Sequence, residues 1–308
     1  MPVDYIEVRL TVPPEALEAV ANLLNEQGSG GVAIDDEREA TLRAYFPDDE
    51  RLEERLRAIR GALSDLVAFF PGMAEWREER RRVREEDWAN AWRQFYHATH
   101  VGRRLVVVPT WESYQPGLED VVIRMDPGMA FGTGTHPSTA LAMRWIETVL
   151  GDEPGPRPPA GDVLDVGTGS GILAIAVALL DPHRRVRALD IDPVAVRVAR
   201  HNVEENGVGD RVRVELGEAG REPPAAYALL LANLTADLLV ENAPHFARLL
   251  QPGGLLIASG IVDVYADEVR RQLTAEGLVW EGVRSESGWV APLLAKAAAP
   301  QSPSGSQG

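Results

Sequence analysis

The chain has 308 residues, with 31 basic and 47 acidic side chains, a formal net charge of −16 and no cysteine. A disulfide framework, a Cys-based zinc site and a thiol nucleophile are therefore excluded. The charge argues against broad binding to a phosphate backbone, which needs a basic surface, and favours a basic or neutral partner reached by electrostatic steering. The length suits about two domains, and the 45% hydrophobic content is that of a globular protein. The start of the chain lacks a positive region followed by an apolar core, so no signal peptide is expected. The longest apolar run, Ile172 to Leu180, falls far short of the roughly 20 residues that span a bilayer. A cytoplasmic protein without membrane contact is expected.

In chain order, Tyr5 to Val12 alternates as a strand does. Pro13-Pro14-Glu15 then opens a helix whose apolar face is Leu17, Val20, Ala21 and Leu24, ending at the glycines between 28 and 31. Short strands follow at Gly31–Asp35 and Ala40–Phe46, a second amphipathic helix at Asp49–Leu66 and a strand at Trp76–Val83. The order β-α-β-β-α-β predicts a ferredoxin-like α+β domain over residues 1–83. Residues 84–100 read as a charged linker helix with Trp88 and Trp92 on one face. Those two aromatics can pack on a neighbouring domain or meet a substrate.

Two strands, Leu105–Pro109 and Val121–Met125, precede a loop rich in glycine and small hydroxyl residues. Beyond it, strands near Val163–Asp165, Val186–Asp190, Val212–Glu215, Ala228–Asn233 and Gly254–Ser259 alternate with helices, the signal for a parallel α/β sheet. Leu278–Ser285 and Val290–Ala297 read as an antiparallel hairpin that closes it. Residues 298–308 are small and polar and are expected to be a disordered tail.

The most informative segment is Val163-Leu164-Asp165-Val166-Gly167-Thr168-Gly169-Ser170-Gly171-Ile172. A buried strand runs into a glycine turn and then a helix, so that a ligand can approach the backbone closely. The spacing is G-x-G-x-G; the dinucleotide fingerprint G-x-G-x-x-G would place its last glycine where Ile172 stands. A short loop without a pyrophosphate seat suits a cofactor without phosphates. Asp190 ends the next strand, 23 positions after Gly167, where an acid can accept both ribose hydroxyls. Asp192 competes for that role, and its place before Pro193 also suits a helix N-cap. Asp165 precedes the loop and is expected to hold it through backbone N–H groups.

This set resembles the class I S-adenosylmethionine-dependent methyltransferases, over roughly Val163 to Lys296. The resemblance implies a Rossmann-like α/β domain over residues 101–297, a parallel sheet with a terminal antiparallel hairpin. At the end of the fourth strand, Asn233-Leu234-Thr235 keeps only the Asn of the (Asn/Asp)-Pro-Pro-aromatic tetrapeptide that grips planar nitrogens in many class I amino-group enzymes. An aliphatic amine, which needs no planar clamp, fits better, and Asn233 can orient it. Near the start of the first methyltransferase helix, Thr139 can meet the polar end of the cofactor, and His136 in the loop before it is a candidate base or a structural residue.

With Asn233-Leu234-Thr235 and the Glu-Asp-Trp linker, Phe131-Gly132-Thr133-Gly134-Thr135-His136-Pro137 resembles one family in particular. Its members methylate the eleventh protein of the large ribosomal subunit. The resemblance implies methylation of lysine side chains and of the N-terminal amine of that protein, with the ferredoxin-like domain as the recogniser. It also implies cofactor contacts at Thr139, Gly167, Gly169, Asp190 and Asn233, with Asn233 at the transfer step and no metal. The partner is then a large-subunit ribosomal protein, free or on the ribosome, with no direct reading of nucleic acid and a monomeric enzyme. Methylation of another protein or of a small amine, or a non-catalytic cofactor-binding module in ribosome assembly, are the alternatives. Residues 1–100 carry 21 acidic and 13 basic residues, including the clusters Asp35-Asp36-Glu37 and Asp48-Asp49-Glu50, so half of the excess negative charge lies in the expected recognition part.

Overall fold

The structure is a computed structural model that describes residues 5–27, 29, 32–36, 40–67, 70–83, 97–125, 134, 136–151 and 154–298. Two compact units divide the chain, Met1–His97 and Ala98–Gly308.

In the first unit, β1 (Tyr5–Thr11) leads through a 3-10 turn at Pro14–Ala16 into α1 (Leu17–Glu26). β2 (Val32–Asp36), β3 (Thr41–Pro47), α2 (Leu52–Leu66) and β4 (Arg77–Val83) follow. The strands form one antiparallel sheet in the order β2-β3-β1-β4, the ferredoxin-like arrangement that the element order predicts. Strand alternation and helical spacing meet in its core. Val8, Leu10, Leu42, Ala44 and Phe46 face Leu17, Val20 and Leu24 of α1 and Leu56, Ile59 and Leu63 of α2. α2 begins at Leu52, because the Asp49 carboxylate accepts the Arg51 amide at 3.0 Å and holds the residues before it in a turn. The edge strand β4 reads Arg-Glu-Glu-Arg-Arg-Arg-Val, and this charge discourages edge-to-edge pairing.

The expected linker helix, with Trp88 and Trp92, lies outside the described residues over 84–96. Its last two residues differ from expectation: Thr99–His100 is a strand, β5, paired with β6 (Leu105–Pro109). With β7 (Val121–Met125), parallel to β6, they make a separate three-stranded sheet.

The rest of the second unit alternates as the sequence suggests. α3 (Pro137–Leu150), β8 (Asp162–Val166), α4 (Ile172–Leu180), β9 (Val186–Asp190), α5 (Pro193–Glu205), β10 (Val212–Leu216) and β11 (Tyr227–Asn233) come first. α6 (Ala236–Leu249), β12 (Leu250–Ser259), β13 (Ile261–Val262), α7 (Ala266–Ala275), β14 (Leu278–Glu286) and β15 (Trp289–Lys296) complete it. Strand order is β10-β9-β8-β11-β12-β15, parallel from β10 to β12 and antiparallel at β15, which also pairs with β13 and β14.

Both faces of this sheet are covered, which explains why the central strand β11 is buried at every position from Tyr227 to Ala232. Val163, Leu229, Leu231, Leu255 and Ile257 pack on the side of α3, α4 and α5. Their neighbours Leu164, Leu230, Ala232, Leu256 and Ala258 pack against Leu239, Phe246 and Leu249 of α6 and Val269 and Leu273 of α7. The apolar run at Ile172–Leu180 is α4, buried from Ile172 to Ala178. No helix among the described residues is long and apolar enough to cross a membrane. The chain order reverses between β8 and β11, and a crevice at the carboxyl ends of the strands follows from that reversal.

Candidate functional site

At the carboxyl end of β8 the chain turns through Gly167, Gly169 and Gly171, with φ of 69°, 57° and 86°. These left-handed values favour glycine. At Gly167 a Cβ would also collide with Leu234 Cδ2, so two independent constraints fix the residue. Gly171 lies against Ala199, which lets α4 pack close to α5.

The loop is tied down internally. The Gly167 and Thr168 amides both donate to Leu189 O at 2.9 Å, Gly169 donates to Asp190 Oδ2 at 2.9 Å, and Gly171 donates to Thr168 O at 2.9 Å. From α5, Asn202 Nδ2 donates to Ser170 O at 2.9 Å. Four of the loop amides are thus satisfied within the protein and none of these four is left to cradle a phosphate. That agrees with a ligand that carries none.

Asp190 ends β9. Its Oδ1 accepts the Asp192 amide at 2.9 Å and its Oδ2 the Gly169 amide. The carboxylate is therefore oriented by two backbone groups, with the remaining lone pairs available to a diol. Asp192 caps α5, accepting the Val194 amide at 2.8 Å, the N-cap role that its place before Pro193 suits.

Asp165 is buried beneath the loop. Thr168 Oγ1 donates to its Oδ2 at 2.6 Å, and Oδ1 has no hydrogen bond. Burial, with Asp190 nearby, pushes its pKa up to about 7, against the Thr168 bond and the field of the Ala174 amide. The acid holds the loop through the Thr168 hydroxyl, not through the backbone N–H groups expected of it.

On the other side of the strand reversal, Ala232 pairs with Val166, so Asn233 follows directly beside Gly167. Asn233 Nδ2 donates to Thr139 Oγ1 at 3.2 Å, while Oδ1 is buried without a partner next to Gly260. Thr139 is fully buried in the first turn of α3, and Ser259 Oγ holds that turn by donating to Ser138 O at 2.7 Å. Residues separated by about 90 positions in sequence thus share one hydrogen bond.

His136 is the N-cap of α3. Its Nδ1 accepts the Ser138 amide at 3.3 Å and lies 2.8 Å from Ser138 Oγ, and its ring stands edge-on to Trp289 with centroids 4.7 Å apart. Burial lowers its pKa to about 4. The imidazole is neutral and engaged, and this favours the structural reading over a base. Gly134, with φ of 86°, sits tightly against Val107 and Ile172. Phe131, Gly132, Thr133 and Thr135 lie outside the described residues.

The five positions marked by sequence, Thr139, Gly167, Gly169, Asp190 and Asn233, all fall at this one edge of the sheet. Two further residues were missed: Ile191 and Leu216, exposed apolar side chains at the ends of β9 and β10. Their surface beside Asp190 suits the flat face of a heterocycle. The signal was there for Ile191, an apolar residue between two aspartates in a turn. A separate recess of about 440 Å³, lined by His100, Arg103, Arg144, Glu147, Thr148 and Arg284, contains none of these residues.

A family model described as "Ribosomal protein L11 methyltransferase (PrmA)" matches residues 4–297. The chain belongs to this family. The L11 methyltransferase of Pelotomaculum thermopropionicum is 41% identical, covering 94% of this chain and 97% of that protein. Its counterpart in Chloroflexus aurantiacus is 42% identical, with the same coverage. Among solved structures, a ribosomal protein L11 methylase from Lactobacillus delbrueckii subsp. bulgaricus superposes with a TM-score of 0.54 at 31% identity. It covers 66% of this chain and 100% of that one. The L11 methyltransferase family thus carries the same class I sheet, and this chain is a methyltransferase of that family.

Proposed function

We propose that this protein transfers methyl groups from S-adenosylmethionine to amines of the eleventh protein of the large ribosomal subunit, lysine side chains and the N-terminal amine among them. The observation that carries the reading is the convergence of Gly167, Asp190 and the Asn233–Thr139 pair at the strand reversal, in a chain of this family. The reaction belongs in the cytoplasm, where ribosomes assemble, and a monomer suffices for it. The first unit is the recogniser of the protein substrate, since a sheet over two helices has no chemistry of its own.

The residues fit the cofactor. The glycine turn carries no side chain at Gly167, Gly169 or Gly171 to block approach to its backbone, Asp190 presents oriented lone pairs to a ribose, Ile191 and Leu216 offer apolar surface to an adenine, and Thr139 and Asn233 border the polar end. When bound, S-adenosylmethionine supplies an activated methyl on a positively charged sulfur. The protein has then to align an amine lone pair with the sulfur–methyl bond and to present the amine neutral. A lysine of pKa about 10.4 costs about 4–5 kcal/mol to deprotonate at neutral pH, and both burial and a neighbouring positive charge reduce that cost. No dedicated base is required. Asn233 Oδ1, an acceptor without a partner, can take an N–H of the incoming amine and fix its direction.

The test is to incubate the full chain with methyl-labelled S-adenosylmethionine and ribosomes from undermethylated cells. Label in the eleventh large-subunit protein supports the assignment. Tight cofactor binding without label there would refute it in favour of a non-catalytic module.

A further inference from the structure

Beside Asn233, two corners of the second unit meet. The Leu234 amide donates to Ser259 O at 3.1 Å, and Gly260 has φ of 83° with its missing Cβ against Leu234 O and Asn233 Oδ1. From one corner the chain enters α6, from the other it passes β13 and enters α7. Both expose large apolar side chains within five residues of this junction: Leu238 at 42%, Val264 at 76% and Tyr265 at 56%. Five residues reach at most about 17 Å, so all three lie within a short extended peptide's length of the transfer position.

The charge around them has one sign. Asp237 and Glu241 are exposed on α6, and Asp263 and Asp267 on the other corner. Among the described residues none of these four side chains makes an ion pair or hydrogen bond. Between residues 222 and 269 the sequence has one arginine and no lysine. That residue, Arg248, donates to the carbonyls of Glu222 and Gly220. Just beyond, Arg270 stacks over Trp280 and Arg271 pairs with Glu268. At the acceptor itself, by contrast, Asn233 and Thr139 are neutral. A carboxylate there would raise the pKa of the lysine to be methylated and oppose the reaction, whereas carboxylates at the rim attract the protonated form without that cost.

We infer that the surface formed by Leu238, Val264 and Tyr265 and their flanking carboxylates docks a lysine-rich segment of the protein substrate. The apolar side chains cover the aliphatic stems of its lysines and the carboxylates hold the ammonium heads, while one amine of the segment enters beside Asn233. This rests on the functional reading above, whose substrate is a basic protein, and adds to it the surface that presents the amine.

The experiment compares the full-length protein with two variants, Asp237→Asn/Glu241→Gln/Asp263→Asn/Asp267→Asn and Val264→Ser/Tyr265→Ser. Methyl transfer to the purified ribosomal protein is measured over a salt series, with cofactor affinity by calorimetry and thermal melting in parallel. Each variant should lose about tenfold in kcat/KM, through KM, with cofactor affinity and melting temperature near wild type. The charge variant should also show a flatter salt dependence. Wild-type kcat/KM in both variants overturns the docking surface, and so does an equal loss of cofactor affinity. No transfer by the unmodified protein sinks the functional reading itself, and the docking surface with it.

Discussion

Asp165→Asn isolates the most perturbed group in the site. The carboxylate is buried, one oxygen is held by the Thr168 hydroxyl and the other has no hydrogen bond. Its pKa is raised from 3.8 to about 7, chiefly by burial. A carboxyl whose folded pKa is raised stabilises the fold at low pH, and this contribution is lost as pH rises through the folded value. For a shift of this size the folded state is disfavoured by about 2 kcal/mol at pH 5 and about 4 kcal/mol at pH 8. The amide keeps the acceptor for Thr168 and cannot ionise. The stability of the variant relative to wild type, from denaturant unfolding, should therefore rise by about 2–3 kcal/mol between pH 5 and pH 8. Other titrating groups cancel in that comparison. His136 is one, since its pKa lowered to about 4 contributes stability above pH 6.5 that is lost as pH falls. A gap between the two proteins that is the same at both pH values would refute the assignment of Asp165.

Asp190→Ala should weaken S-adenosylmethionine binding about 100-fold, the loss of two hydrogen bonds to a charged acceptor. Affinity near wild type by calorimetry would remove the ribose contact. Asn233→Ala should lower turnover about tenfold or more with little change in cofactor affinity, and equal losses in both would make it a binding residue alone. Gly167→Ala combines a left-handed φ of 69° with a collision against Leu234 Cδ2. It should cost about 2–3 kcal/mol of stability, part of which Leu234→Ala should restore, and an unchanged melting temperature argues against both constraints.

Much of the site was legible because it depends on local conformation. A G-x-G-x-G turn after an apolar strand needs glycine at left-handed positions, and Gly167, Gly169 and Gly171 occupy them. Asp190 was legible for a similar reason, as the last residue of the next strand in a parallel sheet. Where local pattern and neighbouring groups competed, boundaries moved. Asp49 became the acceptor of a turn before the helix rather than its first residue, and Thr99–His100 became a strand because β6 offers it a pairing edge.

By itself, then, the amino-acid sequence determined the alternation of elements and the glycine turn after β8, which follow from spacings of a few positions, and its motifs carried the resemblance to the family. Only the tertiary structure decided what depends on distant partners. It joined Asn233 to Thr139 across 94 positions, separated Asp190 from Asp192 by what each carboxylate accepts, and turned His136 into a helix cap against Trp289. It also left Asp165 with one unpaired oxygen. Burial and hydrogen-bond partners are properties of packing. A residue's type sets what it can do, and its surroundings in the fold select which of those things it does.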